Sequence, residues 1–232
     1  MTTRQDSTSV AKNQEFFADN EWYKKTQQEL ELYRFMAASA THETAQARRL
    51  LDIGNGGVFI FPIDHIAEVE AIDIFVEEDF VRRYPTVKWT QMSALEMSFD
   101  RPFDTVIAIN TLHHVVATGV AGTYANMETV IAGAAAHLEP GGKFVLIEST
   151  VPAWFLAPYK LLFALFVKIW PLKHPPTFQF HFRDILDAAA RQGLVLREFC
   201  WIPKTSDVLT LGFQVKPWMT PIRVGKFVFT KP

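Results

Sequence analysis

The sequence predicts an α/β protein built on a largely parallel sheet. Strand-like segments recur at Arg49–Ile53, Val69–Ile74, Lys88–Met92, Thr105–Ile109 and Phe144–Glu148, and helical or turn segments separate them, as crossover units require. A further observation predicts where a ligand sits. The first strand runs through Leu50-Leu51-Asp52-Ile53 into Gly54-Asn55-Gly56-Gly57, a glycine-rich bend at the carboxyl end of a strand, where open α/β sheets bind ligands.

The elements follow in order. Met1 to Asn13 is polar and reads as a tail, and residues from about Gln14 to Ala47 read as a helical zone with Trp22, Leu30, Tyr33 and Phe35 as packing or lid residues. Residues 1–48 therefore form an N-terminal helical lid region, and 49–232 a single domain with an insertion at about 151–180. Pro140-Gly141-Gly142 marks a tight turn before Lys143-Phe144-Val145-Leu146-Ile147-Glu148. The stretch from His181 to Gly193 reads as a helix stopped by glycine. Val195–Phe199 and Val224–Thr230 are expected to pair antiparallel and finish the sheet, with Trp201, Trp218 and Met219 packed on its flank.

Composition narrows the function classes. The 232 residues carry a formal charge of −2 with no basic track, so wholesale attraction to nucleic acid is not expected. One cysteine, Cys200, excludes an internal disulfide and a cysteine-rich metal site, and its expected role is packing. The start of the chain lacks the apolar core of a signal peptide, which makes the cytoplasm the expected location.

The glycine bend excludes one ligand class and favours another. A dinucleotide fingerprint needs glycine at the sixth position, which here is Phe59, and Asp52 would stand awkwardly beside a pyrophosphate. A positively charged, phosphate-free ligand suits that acid better. About twenty residues on, Asp73 ends the next strand, where a carboxylate accepts hydrogen bonds from ribose hydroxyls. Helix capping is the competing role for Asp73, and organising the loop backbone is that for Asp52.

These features together resemble the class I S-adenosylmethionine-dependent methyltransferases. The resemblance rests on Leu51-Asp52-Ile53-Gly54-Asn55-Gly56-Gly57, on Ala71-Ile72-Asp73-Ile74, on Phe103-Asp104-Thr105-Val106-Ile107-Ala108-Ile109-Asn110, and on Leu138-Glu139-Pro140-Gly141-Gly142-Lys143. It implies a Rossmann-like fold with a mostly parallel seven-stranded sheet, and S-adenosyl-L-methionine as cofactor. It also implies that Asp52, Gly54 and Gly56 line the methionine side, that Asp73 holds ribose, and that Gln91-Met92-Ser93-Ala94 borders adenine. Asn55 and Asn110, within the same motifs, complete the expected cofactor-binding set with Ser93. Two positions depart from the family pattern: Val58 replaces a third glycine, and Ser93 replaces an acid.

His113 and His114 follow the fourth strand and are the expected catalytic residues, with His114 preferred. An imidazole there can take a proton from a hydroxyl as an electrophilic methyl group approaches, with polar packing or a helix cap as the competing role. No ligand-spaced motif accompanies them, so no metal is expected.

The segment from Val151 to Trp170 is apolar and aromatic, an aromatic helical insertion after the fifth strand. Its apolar stretch from Tyr159 is shorter than the roughly 20 residues that span a bilayer, so a lid, a buried helix, a homodimer face or a membrane-surface contact remain open, and a transmembrane segment is not expected. With 20 phenylalanines in the chain, an apolar or aromatic small-molecule acceptor is expected, contacted by Trp22, Phe155, Phe163, Phe178 and His181. Phe178, Phe180, His181 and Phe182 serve equally well to anchor the next helix. The expected reaction is methyl transfer to such a metabolite, with oxygen the favoured acceptor atom. Alternatives are a catalytically silent assembly subunit, or a cyclase that uses the cofactor for its charge.

Overall fold

A computed structural model describes residues 15–16, 25–26, 29–169, 176–204, 207–210 and 213–232. Its centre is β1 (Arg49–Ile53), flanked by β2 (Glu68–Asp73) and β4 (Phe103–Ile109). β3 (Val87–Gln91), β5 (Leu138–Thr150), β6 (Val195–Trp201) and β9 (Arg223–Thr230) complete a seven-stranded sheet in the order β3-β2-β1-β4-β5-β9-β6. β1 to β5 pair in parallel, and β9 runs antiparallel between β5 and β6. The strand order reverses beside β1, so a crevice opens at the carboxyl ends of β1 and β4.

Because strand side chains alternate, each central strand feeds a core on either face. Leu51, Ile53, Val106, Ala108, Phe144 and Leu146 pack towards α3 (Val120–Ala136) and α5 (Phe182–Arg191). Leu50, Ile107, Val145 and Ile147 pack with Met36 and Ala40 of α1 (Glu31–Thr44), and with Phe59 and Phe61 of the loop after β1. One buried ion pair ties α1 to the sheet, with Lys226 Nζ 2.7 Å from Glu43 Oε1. Burial alone would raise the Glu43 carboxyl, but the hydrogen bonds from Lys226 and His42 and the charges of Lys226 and Lys143 together hold the group below its ordinary value. That clamp holds the C-terminal end of α1 and leaves its first turns over the crevice.

The expected strands all form, and β5 is longer than the sequence suggested. Its pairing jumps from Phe103↔Leu138 to Thr105↔Lys143, so the Pro140-Gly141-Gly142 turn is a bulge within the strand, with Gly141 at φ +79°. The insertion forms α4 (Ala153–Ile169), and among the described residues no helix is long and apolar enough to cross a membrane. The terminal pair β6 and β9 is interrupted by a small hairpin, β7 (Val208–Thr210) with β8 (Phe213–Val215), which the sequence did not suggest. The flank expectation needs correcting for two of three residues: Trp201 packs against Phe199 and Phe182, while Trp218 and Met219 stand 82% and 60% exposed on a short 3₁₀ turn. That turn follows the hairpin and lies off the flank. Cys200 is half-buried on β6, and burial pushes its thiol pKa up, which keeps it protonated.

Candidate active site

A cavity of about 480 Å³ opens at the carboxyl edge of the sheet. At one end the loop after β1 is locked against its neighbours. Gly54 has φ +71° and donates its N–H to Ile72 O, and a Cβ there would stand 2.4 Å from Thr111 Cγ2. Thr111 in turn donates its hydroxyl to Ile53 O at 2.8 Å, so the loops after β1 and β4 fit only with glycine at position 54. Gly56 also has positive φ, at +65°, but space around it is open, which leaves backbone accessible to a ligand.

Asp52 and Asp73 occupy this end, both on the cavity wall and both nearly buried. Asp52 Oδ2 accepts from Asn55 Nδ2 at 2.7 Å, and Asn55 Oδ1 is buried with no hydrogen-bond partner. Asp73 accepts from Gly56 N–H at 2.8 Å and Phe75 N–H at 3.3 Å, so it organises the glycine loop. Burial raises the Asp52 pKa to about 7, opposed by the Asn55 hydrogen bond and reinforced by the Asp73 charge. Burial likewise raises Asp73 to about 6. Two desolvated carboxylates and an orphaned amide oxygen call for a ligand that brings positive charge and N–H or O–H donors. S-adenosylmethionine carries a sulfonium, an ammonium and ribose hydroxyls, so the residues fit it.

Asn110 also lies on the wall, in the left-handed region at φ +53°, with its N–H on Ile147 O. Val58 takes its place there too. Ser93 does not: the wall is formed by Met92 and Ala94, and Ser93 Oγ accepts from Leu95 N–H at 3.2 Å.

The histidines stand on a 3₁₀ turn at the carboxyl end of β4, with rings 4.2 Å apart and both on the cavity wall. His113 Nδ1 lies 2.6 Å from Oε1 of Glu148, a fully buried residue of β5. The same carboxylate accepts from Leu112 N–H and Ser149 N–H, each at 2.7 Å. These contacts fix its position, and an acceptor at Nδ1 puts the imidazole proton there and leaves the Nε2 lone pair available. Glu148 was missed in the sequence, although an acid near the carboxyl end of a strand is the signal that singled out Asp52 and Asp73.

The other end is walled by Leu32, Tyr33, Arg34 and Ala37 of α1, by Thr177 and Gln179, and by residues around the ends of β6 and β9. The expected substrate contacts fall elsewhere. Phe163 and Phe178 are core residues with ring centroids 4.7 Å apart, and Phe155 stacks on Tyr159 at 5.6 Å. His181 stands at the N-cap position of α5 with its ring beside Phe182 and makes no side-chain capping bond, and Trp22 lies outside the described residues. The reason is alternation along an extended segment. Phe178 N–H bonds His113 O and Val151 N–H bonds Phe180 O, so Phe178 and Phe180 turn to the core while Thr177 and Gln179 face the cavity. Tyr159 supports the polar pair from behind, its hydroxyl 2.7 Å from Gln179 Oε1.

The sheet order and the acid-glycine edge define the class as a Rossmann-like methyltransferase fold. Residues 51–146 match the family model of the methyltransferase domain. The fold is similar to the N-methyltransferase NodS from Bradyrhizobium japonicum WM9, solved with S-adenosyl-L-homocysteine, at 15% identity and TM-score 0.64 over 98% of this chain and 100% of that one. It is similar also to a Burkholderia thailandensis 1,6-didemethyltoxoflavin-N1-methyltransferase, at 13% identity and TM-score 0.67 over 100% of this chain and 91% of that one. The [4+2]-cyclase SpnF shares the fold at 12% identity and TM-score 0.59 over 85% of this chain and 80% of that one. No curated protein matches the sequence.

Proposed function

We propose that the protein methylates a small apolar acceptor, at oxygen in preference to nitrogen or carbon, with His113 as the base. The observation that carries this reading is the His113–Glu148 contact of 2.6 Å on the cavity wall. Asp73 takes the ribose hydroxyls, and Asp52 with Asn55 Oδ1 takes the ammonium. The bound cofactor supplies an electrophilic methyl group. His113 Nε2 receives the acceptor's hydroxyl proton, and Glu148 stabilises the imidazolium that forms. The first turns of α1 act as a lid, which orients the acceptor and excludes water.

A metabolite-panel incubation with S-adenosylmethionine, read by mass spectrometry, tests the reaction through a methyl mass gain. On the acceptor so found, His113→Ala is expected to lose turnover by about 10²- to 10³-fold, to keep its S-adenosylhomocysteine affinity, and to fall well below His114→Ala. Full turnover in His113→Ala overturns the base assignment. A cyclised product of unchanged mass would instead favour a cyclase that uses the cofactor for its charge.

A further inference from the structure

The far end of the cavity is charged opposite to the cofactor's end. Its wall carries the carboxylates Asp52 and Asp73 near the glycine loop, and the cations Arg34, Lys204 and Arg223 away from it. Lys204 follows β6 and Arg223 opens β9, so the topology brings both to the edge where the acceptor enters. Each is held in place by a neutral group. Lys204 Nζ donates to Thr220 O, and the Arg223 guanidinium lies 4.3 Å from the centre of the Trp201 ring. Neither pairs with a carboxylate among the described residues. Lys204 is half-buried and Arg223 exposed, and the cavity wall also carries the apolar side chains of Ile202, Val208, Ile222 and Val224. Burial first, and then the Arg223 charge, holds the Lys204 ammonium below its ordinary value.

We propose that Lys204 and Arg223 form an anion subsite that reads a carboxylate or phosphate on an otherwise apolar acceptor. An anion would relieve the repulsion between the two cations and bring charge-assisted hydrogen bonds to both, while the apolar wall holds the rest of the molecule. The register supports the role. Arg223 lies opposite Thr150, which donates its hydroxyl to Arg223 O at 3.1 Å, and Thr150 is two residues beyond Glu148. At about 3.3 Å per residue, the backbone position opposite Arg223 is about 7 Å along β5 from that of Glu148, which puts Arg223 on the same stretch of the cavity edge as the carboxylate behind His113. An anchored anion would thus set which acceptor atom meets His113. This assignment rests on reading the cavity as a joint cofactor and acceptor site.

The test is calorimetric titration of the full chain, loaded with S-adenosylhomocysteine, with octanoate, octyl phosphate and octanol. At least one anion is expected to bind about tenfold or more tightly than the alcohol. The preference should fall below about threefold in the Lys204→Met, Arg223→Gln double variant, with S-adenosylhomocysteine affinity unchanged. If the double variant does not fold, each single variant is expected to lose part of the preference. Equal affinity for alcohol and anions, or no binding of either anion, overturns the proposal. So does a variant that weakens S-adenosylhomocysteine and leaves the anion preference intact, since the cations would then serve the cofactor's carboxylate. Failure of S-adenosylhomocysteine to bind wild type would instead overturn the cofactor reading, and the anion preference is then measured on the ligand-free protein.

Discussion

At the cofactor's end of the cavity, Asp52 and Asp73 sit on adjacent strands and grip the glycine loop between them through Asn55 Nδ2 and Gly56 N–H. At the acceptor's end, α1, the 176–180 segment and the edges of β6 and β9 each contribute one or a few side chains. The first end is made of backbone whose shape is fixed by glycine and by buried hydrogen bonds. The second is made of side chains on elements that the sheet merely brings together. Substitution at the second can change what is bound without disturbing the strands beneath, which is how one fold comes to serve several reactions.

The strongest way to break this comparison is to exchange neighbours on the 176–180 segment. Phe178→Ala removes a fully buried ring packed on Phe163 and Tyr159, and is expected to cost about 3–5 kcal/mol in denaturant unfolding. Gln179→Ala is expected to cost about 1 kcal/mol or less while changing acceptor affinity. Similar stability losses in both would mean that Gln179 is structural and that the wall on this side lies elsewhere.

Asp73→Ala tests the cofactor's end, with an expected loss of S-adenosylmethionine affinity of about 10- to 100-fold. Unchanged affinity would leave Asp73 with its loop-organising role alone. The same acids give a pH signature. With pKa values raised to about 7 and about 6, Asp52 and Asp73 hold more protons in the folded ligand-free protein than in the unfolded chain. Their contribution to stability is therefore fully present below the ordinary carboxylate pKa and is lost as pH rises through about 6 and about 7. A cationic ligand draws both pKa values down, so the Tm increase caused by S-adenosylmethionine should grow between about pH 5.5 and about pH 7.5. Asp52→Asn should flatten that slope, and a pH-independent increase in wild type would separate the cation from these carboxylates.

The same contrast explains what could be read from the sequence. The fold and the acid-glycine loop at the cavity edge were legible because strand, acid and glycine are consecutive there, and a positive φ at Gly54 needs only local chain to express it. Glu148 was legible in principle but unreadable as a partner, because its contact with His113 joins residues 35 apart. The aromatic segments were harder to divide, because richness in phenylalanine signals burial without saying where: Phe163, Phe178 and Phe180 lie in the core, Thr177 and Gln179 line the cavity, and Trp154 and Leu161 of the insertion stay exposed. Lys204 and Arg223 carried no signal until β9 folded back between β5 and β6.

The smallest expected effect concerns Ser93, which stands where the family pattern has an acid. Its hydroxyl accepts Leu95 N–H and its carbonyl accepts Glu96 N–H, so it shapes the turn after β3 from behind the wall. Ser93→Ala should therefore cost roughly 0.5–1 kcal/mol of stability and change S-adenosylmethionine affinity less than about threefold. Met92→Ala, by contrast, removes apolar area from the wall itself and should weaken the cofactor more than Ser93→Ala does. Calorimetry on the two variants orders them. A loss above about tenfold in Ser93→Ala alone would put its hydroxyl on the ligand, and would make this end of the cavity, like the other, dependent on side chains as well as backbone.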